Sequence, residues 1–253
     1  MFSIERLQAG LNTNFLGREI KYLDKTLSTN DDAWECFLKN DPEGTLIITD
    51  HQVRGRGRRQ STWSSITDKS LTFSFLLLPE IPLEKLGILP LIAGVSIVQG
   101  IYTIVNILSG LKWPNDIMVC QKKMGGILIE SRTGESGLGV VVGIGLNINE
   151  SPDDIPEGLQ DQATSLSIDS GEEFGRELIL SSILNEFENL YLKHWNEIIP
   201  LWQKYCIHNN EEVTFHVNDK YHRGTFRGIT DSGHACIQVN GKTETFPAGI
   251  VTL

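Results

Sequence analysis

Residues 117–148 read IMVCQKKMGGILIESRTGESGLGVVVGIGLNI, and this stretch decides the fold class. It holds three strand-like runs, residues 117–119, 126–130 and 139–148, separated only by short turns. Parallel neighbours need a crossover of a dozen or more residues, so an antiparallel or mixed sheet is expected rather than a βαβ array. Upstream, residues 71–78 (LTFSFLLL) read as a buried strand and residues 45–49 as a shorter β-rich run. Residues 2–11 read as a short helix, and residues 83–107 are mostly helical after Pro82. Residues 28–32 (STNDD) supply N-cap residues and early acids for a helix running to about Lys39.

Downstream, residues 151–170 are rich in Pro, Asp, Gly and Ser and read as surface loop. Residues 172–195 have a helical period that puts Phe174, Leu178, Ile179, Ile183, Leu184, Phe187, Leu190 and Tyr191 on one face. A second helical piece ends near Tyr205. From Glu211 the pattern changes to short strands with Asn, Asp and Gly turns (EVTFHV, HRGTFRGI, HACIQV, KTETFP). The expectation is an α+β unit over residues 1–208, a mixed or antiparallel sheet with flanking helices, followed by a small β-barrel over residues 209–253.

Composition narrows the function. The net charge of −10 argues against a protein whose main task is holding DNA or RNA. The longest apolar stretch, residues 86–105, is interrupted by Pro90, Gly94, Ser96, Gln99 and Gly100, so no membrane span is expected. Cys36, Cys120, Cys206 and Cys236 are far apart and the six histidines are scattered, which suggests neither disulfide nor metal site and fits a reducing cytoplasm.

Against that acidic background, Arg54-Gly55-Arg56-Gly57-Arg58-Arg59 packs four guanidinium groups into six residues. Like charges at this density repel, and an anion is their natural partner, since arginine gives bidentate hydrogen bonds to phosphate or carboxylate. Gly55 and Gly57 let the backbone approach a ligand closely. The same run could be a solvated basic loop or an RNA contact of the Arg-Gly type.

Residues 52–63 (QVRGRGRRQSTW) resemble the GRGRxGRxW adenylate loop of biotin protein ligases. Four further segments resemble that family's motifs in the same order: Ser28-Thr29-Asn30, Lys112-Trp113-Pro114-Asn115-Asp116, the run KMGGILIE over residues 123–130, and GIGLNIN over residues 143–149. One departure is Gln60-Ser61, where the family often has Gly-Arg, which removes one possible phosphate contact. The resemblance implies a catalytic domain like that of class II aminoacyl-tRNA synthetases and a C-terminal SH3-like domain. It implies a two-step reaction using biotin, ATP and Mg²⁺, with the biotin carboxyl carrier domain of a carboxylase as acceptor. Ser28-Thr29-Asn30 falls too early to leave room for an N-terminal helix-turn-helix, so a ligase without DNA binding is expected. Relatives are often dimers, which makes a homodimer a further expectation.

The same resemblance assigns roles. Ser28, Thr29, Asn30 and Gln52 would line the biotin site, where hydroxyl and amide groups suit a ureido; the first three also suit helix capping. Arg56 and Arg58, with Gly57 between them, would meet the biotin carboxylate and α-phosphate. Trp63 would form a wall near the adenylate or simply pack. Lys123 would reach the carboxyl and phosphate, and Lys112 the ATP phosphates. Gly126, Gly143 and Gly145 would clear space. Asn147 would pair with adenine. Asp116 would orient or deprotonate the acceptor amine, or close an Asx-type turn. The competing reading of the same fold is a lipoate-type ligase or acyltransferase.

Overall fold

The computed structural model describes residues 2–135, 137–193, 195–217 and 220–252. The chain first forms α1 (Ile4–Gly10), β1 (Ile20–Thr26), α2 (Thr29–Leu38) and β2 (Leu46–Gln52). A short ribbon follows, β3 (Gly55–Arg56) and β4 (Thr62–Trp63), then β5 (Ser70–Leu77) and α3 (Leu89–Val105). Next come β6 (Gly110–Lys112), β7 (Asp116–Val119), β8 (Lys122–Gly134) and β9 (Gly137–Asn147), then α4 (Leu166–Ser170), α5 (Arg176–Lys193) and α6 (Ile198–Tyr205).

Seven of these strands make one sheet in the order β1-β2-β5-β9-β8-β7-β6. β1 and β2 are parallel and joined through α2; the other pairs are antiparallel. The sheet is therefore mixed, as the turns after residues 119 and 134 required. Its two faces differ. Along β5, Leu71, Phe73, Phe75 and Leu77 point into the larger core, with α3 and α5. Leu76 points the other way, into a small core under α2 with Ala33, Trp34, Phe37, Ile47 and Val141. That period of two places Thr72 and Ser74 on the α2 side as well.

Several elements differ from expectation. β1 was not expected: its sequence IKYLDKT carries three charges, which an edge strand tolerates because one side meets water. Residues 151–170 are not all surface loop, since Ser165 caps α4 and Thr164, Ser165 and Leu166 are buried. Leu178 leaves the apolar face of α5 and is 52% exposed, while Ile179, Ile183, Leu184 and Phe187 are buried. Residues Leu83–Val105 do reach the length and hydropathy of a membrane-crossing helix, yet most of that stretch is buried inside the protein. α3 is apolar on nearly every side because it packs between the sheet, α5 and α6.

The C-terminal strands are β10 (Glu212–Val217), β11 (Lys220–Ile229), β12 (Ala235–Val239), β13 (Lys242–Phe246) and β14 (Ile250–Thr252). They pair antiparallel in the order β13-β12-β11-β10-β14. Among the described residues this is an open sheet, and the expected barrel closure is not made.

The two sheets meet at a seam. The Ile207 N–H donates to the Leu111 carbonyl at 3.0 Å, and the Trp113 indole N–H donates to the Gly233 carbonyl at 3.1 Å. His208 is fully buried there, with its ring 4.3 Å from that of Phe226 and 6.4 Å from that of Trp202. Burial, aided by the charge of Lys112, lowers its pKa to about 4. The unfolded chain takes up the His208 proton near the ordinary value of about 6.5. A depressed folded-state pKa contributes stability above that value, and the contribution is lost as pH falls through it toward the folded value. Stability is thus expected to fall by up to about 3 kcal/mol between pH 6.5 and 4 on account of this group. Urea unfolding of wild type and His208→Phe across that range checks it: the variant should show the smaller acid-dependent loss.

Candidate active site

A cavity of about 320 Å³ opens on the α2 side of the large sheet. Its floor is sheet: Thr72 from β5, Gly143 and Gly145 from β9, and Gly126 from β8. One wall is the N-terminus of α2 with Gln52 at the end of β2, and the roof is the Arg-Gly loop closed by Trp63. Asp116 and Lys123 stand at one rim, and Ile250 and Val251 of the C-terminal sheet border it.

Two glycines make the floor possible. A Cβ at Gly143 would collide with the Asn30 amide, and one at Gly145 with the Trp63 indole. The sequence GIGLN thus leaves flat backbone where α2 and Trp63 come down onto the sheet.

The polar wall is internally ordered. Ser74 lies 2.6 Å from the Thr29 hydroxyl and 2.7 Å from Asn30 Oδ1. The Asn30 amide nitrogen donates to Glu130 at 3.0 Å, which leaves its oxygen to accept. Ser74 has one proton, so it donates to Asn30 and receives from Thr29. Gln52 Oε1 then takes the Thr29 backbone N–H at 2.8 Å. Trp34 also donates to Glu130, at 3.1 Å. Ser28 stands at the N-cap position of α2 but its hydroxyl makes no cap bond. Groups of cavity-lining residues left without a hydrogen bond among the described residues include the Ser28 hydroxyl, the Gln52 amide NH₂, the Thr72 hydroxyl and the Trp63 indole N–H.

The charged rim behaves differently from residue to residue. Arg56 is held by Asp31 through two bonds of 2.6 and 2.7 Å, with Glu130 3.6 Å away. The Asp31 bond, above all, raises the pKa of Arg56. Lys123 pairs with Asp116 at 2.5 Å. Arg58 is half-buried and lines the cavity, and its guanidinium makes no ion pair or hydrogen bond among the described residues. Burial lowers its pKa, and the neighbouring charge of Arg59 adds to that. The charge of Asp116 acts on it only from a distance, since that carboxylate is paired with Lys123, and a half-buried guanidinium with no direct partner marks where an anion belongs.

Of the residues singled out from the sequence, Ser28, Thr29, Asn30, Gln52, Arg56, Gly57, Arg58, Trp63, Asp116, Lys123 and Gly126 all line this cavity. Lys112 and Asn147 do not. Lys112 sits on edge strand β6, one strand beyond Asp116. Asn147 ends β9 and donates to the Thr164 carbonyl at 2.9 Å. Asp116 begins β7, and its carboxylate is engaged by Lys123. The side chain of Gln60, where the sequence departs from GRGRxGR, lies outside the described residues.

Sequence reasoning missed Asp31, Glu130, Thr72 and Ser74. Glu130 closes the KMGGILIE run, and the hydroxyls alternate with Leu71, Phe73 and Phe75. That alternation was a readable sign that one face of a buried strand is polar.

The arrangement can hold a small molecule with a hydrogen-bonding head at the α2 wall and an anionic end under Arg58 and Lys123. The model of the biotin/lipoate A/B protein ligase family matches residues 22–147, and that of the biotin protein ligase C-terminal domain matches residues 208–253. The bifunctional ligase/repressor BirA of Bacillus subtilis is 36% identical over 243 residues, which are 94% of this chain and 75% of that protein. The biotin–[acetyl-CoA-carboxylase] ligase of Mycobacterium tuberculosis is 28% identical over 92% of this chain and 88% of that one. Among solved structures, the biotin protein ligase of Aquifex aeolicus in complex with biotin and ATP superposes with a TM-score of 0.79 at 28% identity, covering 93% of this chain and 98% of that one. With 36% identity to one relative across most of both chains, and the family's motifs gathered around one cavity, the chain belongs to the biotin/lipoate A/B protein ligase family.

Proposed function

We propose that the protein activates biotin with ATP as biotinoyl-5′-AMP and transfers the biotinyl group to a lysine of a biotin carboxyl carrier domain. The observation that carries the choice of acid is the unpaired polar set at the inner end of the cavity. Ser28 and Gln52 offer donors and acceptors that a ureido can satisfy. The dithiolane of lipoate brings no strong hydrogen-bonding group, so it would leave these groups buried and unmet, at about 1–3 kcal/mol each. The Aquifex relative solved with biotin and ATP supports the same choice.

In this reading the ureido carbonyl accepts from the Gln52 amide, and a ureido N–H donates to Ser28. The valerate carboxylate lies toward Arg58 and Lys123. Its oxygen attacks the α-phosphorus of ATP and pyrophosphate leaves; Arg58 stabilises the charge that grows on the phosphoryl oxygens. Arg56 joins once the incoming anion replaces Asp31 as its partner. Among the described residues no group of three or more His, Cys, Asp or Glu could hold a metal. Mg²⁺ bound to the triphosphate would balance its charge. The acceptor amine then attacks the acyl carbon, AMP leaves, and Asp116 orients the amine or takes its proton.

We place the reaction in a reducing cytoplasm, the compartment that the four dispersed cysteines suit. Incubating the protein with biotin and MgATP, without acceptor, should give AMP-linked biotin by mass spectrometry. Lipoate should give much less adenylate. Equal or greater adenylation of lipoate would move the assignment to the other branch of the family.

A further inference from the structure

Thr72 is 3% exposed, and its hydroxyl oxygen is shut off from solvent with no hydrogen-bond partner. It belongs to none of the five motif segments. It lies on β5 between Thr49 of β2 and Gly145 of β9, and its side chain lines the cavity. Two residues further along the same face, the Ser74 hydroxyl is fully used between Thr29 and Asn30. The two hydroxyls are alike in burial and opposite in satisfaction. An unmet buried hydroxyl costs about 1–3 kcal/mol, and valine would fill the same volume without that cost. A threonine at this position is explained by a partner that arrives with the ligand.

Geometry says which part of the ligand. Side chains two apart on one strand face are separated by about 6.6 Å along the strand. The row of Ser74 and Gly143 lies beside Asn30, at the inner end. The row of Thr72, Gly145 and Gly126 lies one step outward, where Trp63 covers Gly145 and Lys123 approaches Gly126 to 3.5 Å from a Cβ position. With a ureido at Ser28 and Gln52 and a carboxylate at Lys123, this middle row faces the far ring of the bicycle. Its one heteroatom is the thioether sulfur, a weak acceptor.

We propose that Thr72 is a specificity-determining residue whose hydroxyl donates a hydrogen bond to the thioether sulfur of bound biotin. The proposal rests on the biotin reading above. It makes the site sensitive to the sulfur itself, so that acids with the same ureido and chain but no sulfur are discriminated against at the ring.

The test is a cycle between protein and ligand. Binding of biotin and of dethiobiotin, which keeps the ureido and the chain but has no sulfur, is measured by calorimetry for wild type, Thr72→Val, Thr72→Ser and Thr72→Ala. The preference for biotin over dethiobiotin should shrink about fivefold in Thr72→Val and Thr72→Ala, as expected for one modest hydrogen bond, and persist in Thr72→Ser. Ligand-free Thr72→Val should melt no lower than wild type, because it loses an unmet hydroxyl. Equal weakening of both ligands would put the hydroxyl on the ureido and overturn the proposal. An unchanged preference in the valine and alanine variants would overturn it too. Wild type binding neither ligand would instead bring down the biotin reading, and this inference with it.

Discussion

Arg58→Ala lowers the rate of AMP-linked biotin formation by about 10²–10³-fold and leaves the folded protein at least as stable. The first part follows from what the guanidinium would meet. It is a half-buried cation of the cavity whose guanidinium is ion-paired to no acid among the described residues, so it is available to the incoming phosphate. Removing one preorganised donor from a developing oxyanion costs about that factor. The second part follows from burial, since a partly desolvated guanidinium with no direct partner brings the fold no compensating bond. Alanine removes a liability there, the usual relation between a functional charge and stability. Arg58→Lys should recover only part of the rate, because an ammonium cannot make the forked contact. Single-turnover kinetics and thermal melts on the same samples read both halves. A loss of stability matching the loss of rate would make Arg58 a structural residue.

Lys123 and Asp116 give the second large effect, because one ion pair of 2.5 Å joins two residues assigned to different steps. Lys123→Ala should slow adenylate formation about 10²-fold, since its ammonium would follow the carboxylate and phosphate. Asp116→Asn should leave adenylate formation within a few-fold of wild type and slow transfer to the carrier about 10²-fold, the low end for general-base catalysis. The two half-reactions are measured separately, the second with purified biotinoyl-AMP. A shared structural role would depress both steps in both variants. The predicted split separates a pair that merely holds the rim from one whose members part when substrate arrives.

The mixed sheet was legible in residues 117–148, because two short turns between apolar runs leave antiparallel pairing as the economical solution. The Arg-Gly loop and the Ser28-Thr29-Asn30 segment were legible as chemistry, and they come together in one cavity. β1 was not legible, since an edge strand with three charges has no apolar alternation to show. Nor was α4, a five-residue helix whose Leu166 is buried by long-range packing. The pairing of Arg56 with Asp31 joins residues 25 apart in sequence and depends on how α2 faces the loop. Lys112 was placed at the ligand by its segment alone; the strand order puts it beyond β7, on the edge of the sheet. What the sequence withheld was mostly which polar groups satisfy one another, and that division separates Ser74 from Thr72.

The most direct test of the account is transfer itself. Purified protein, biotin, MgATP and a biotin carboxyl carrier domain are mixed, lipoate is run in parallel, and the carrier is weighed by intact mass spectrometry. The account predicts a gain of one biotinyl group, lost when the acceptor lysine is replaced and absent with lipoate. A carrier that stays unmodified while biotin binds tightly, or one that gains lipoyl in preference, would contradict it.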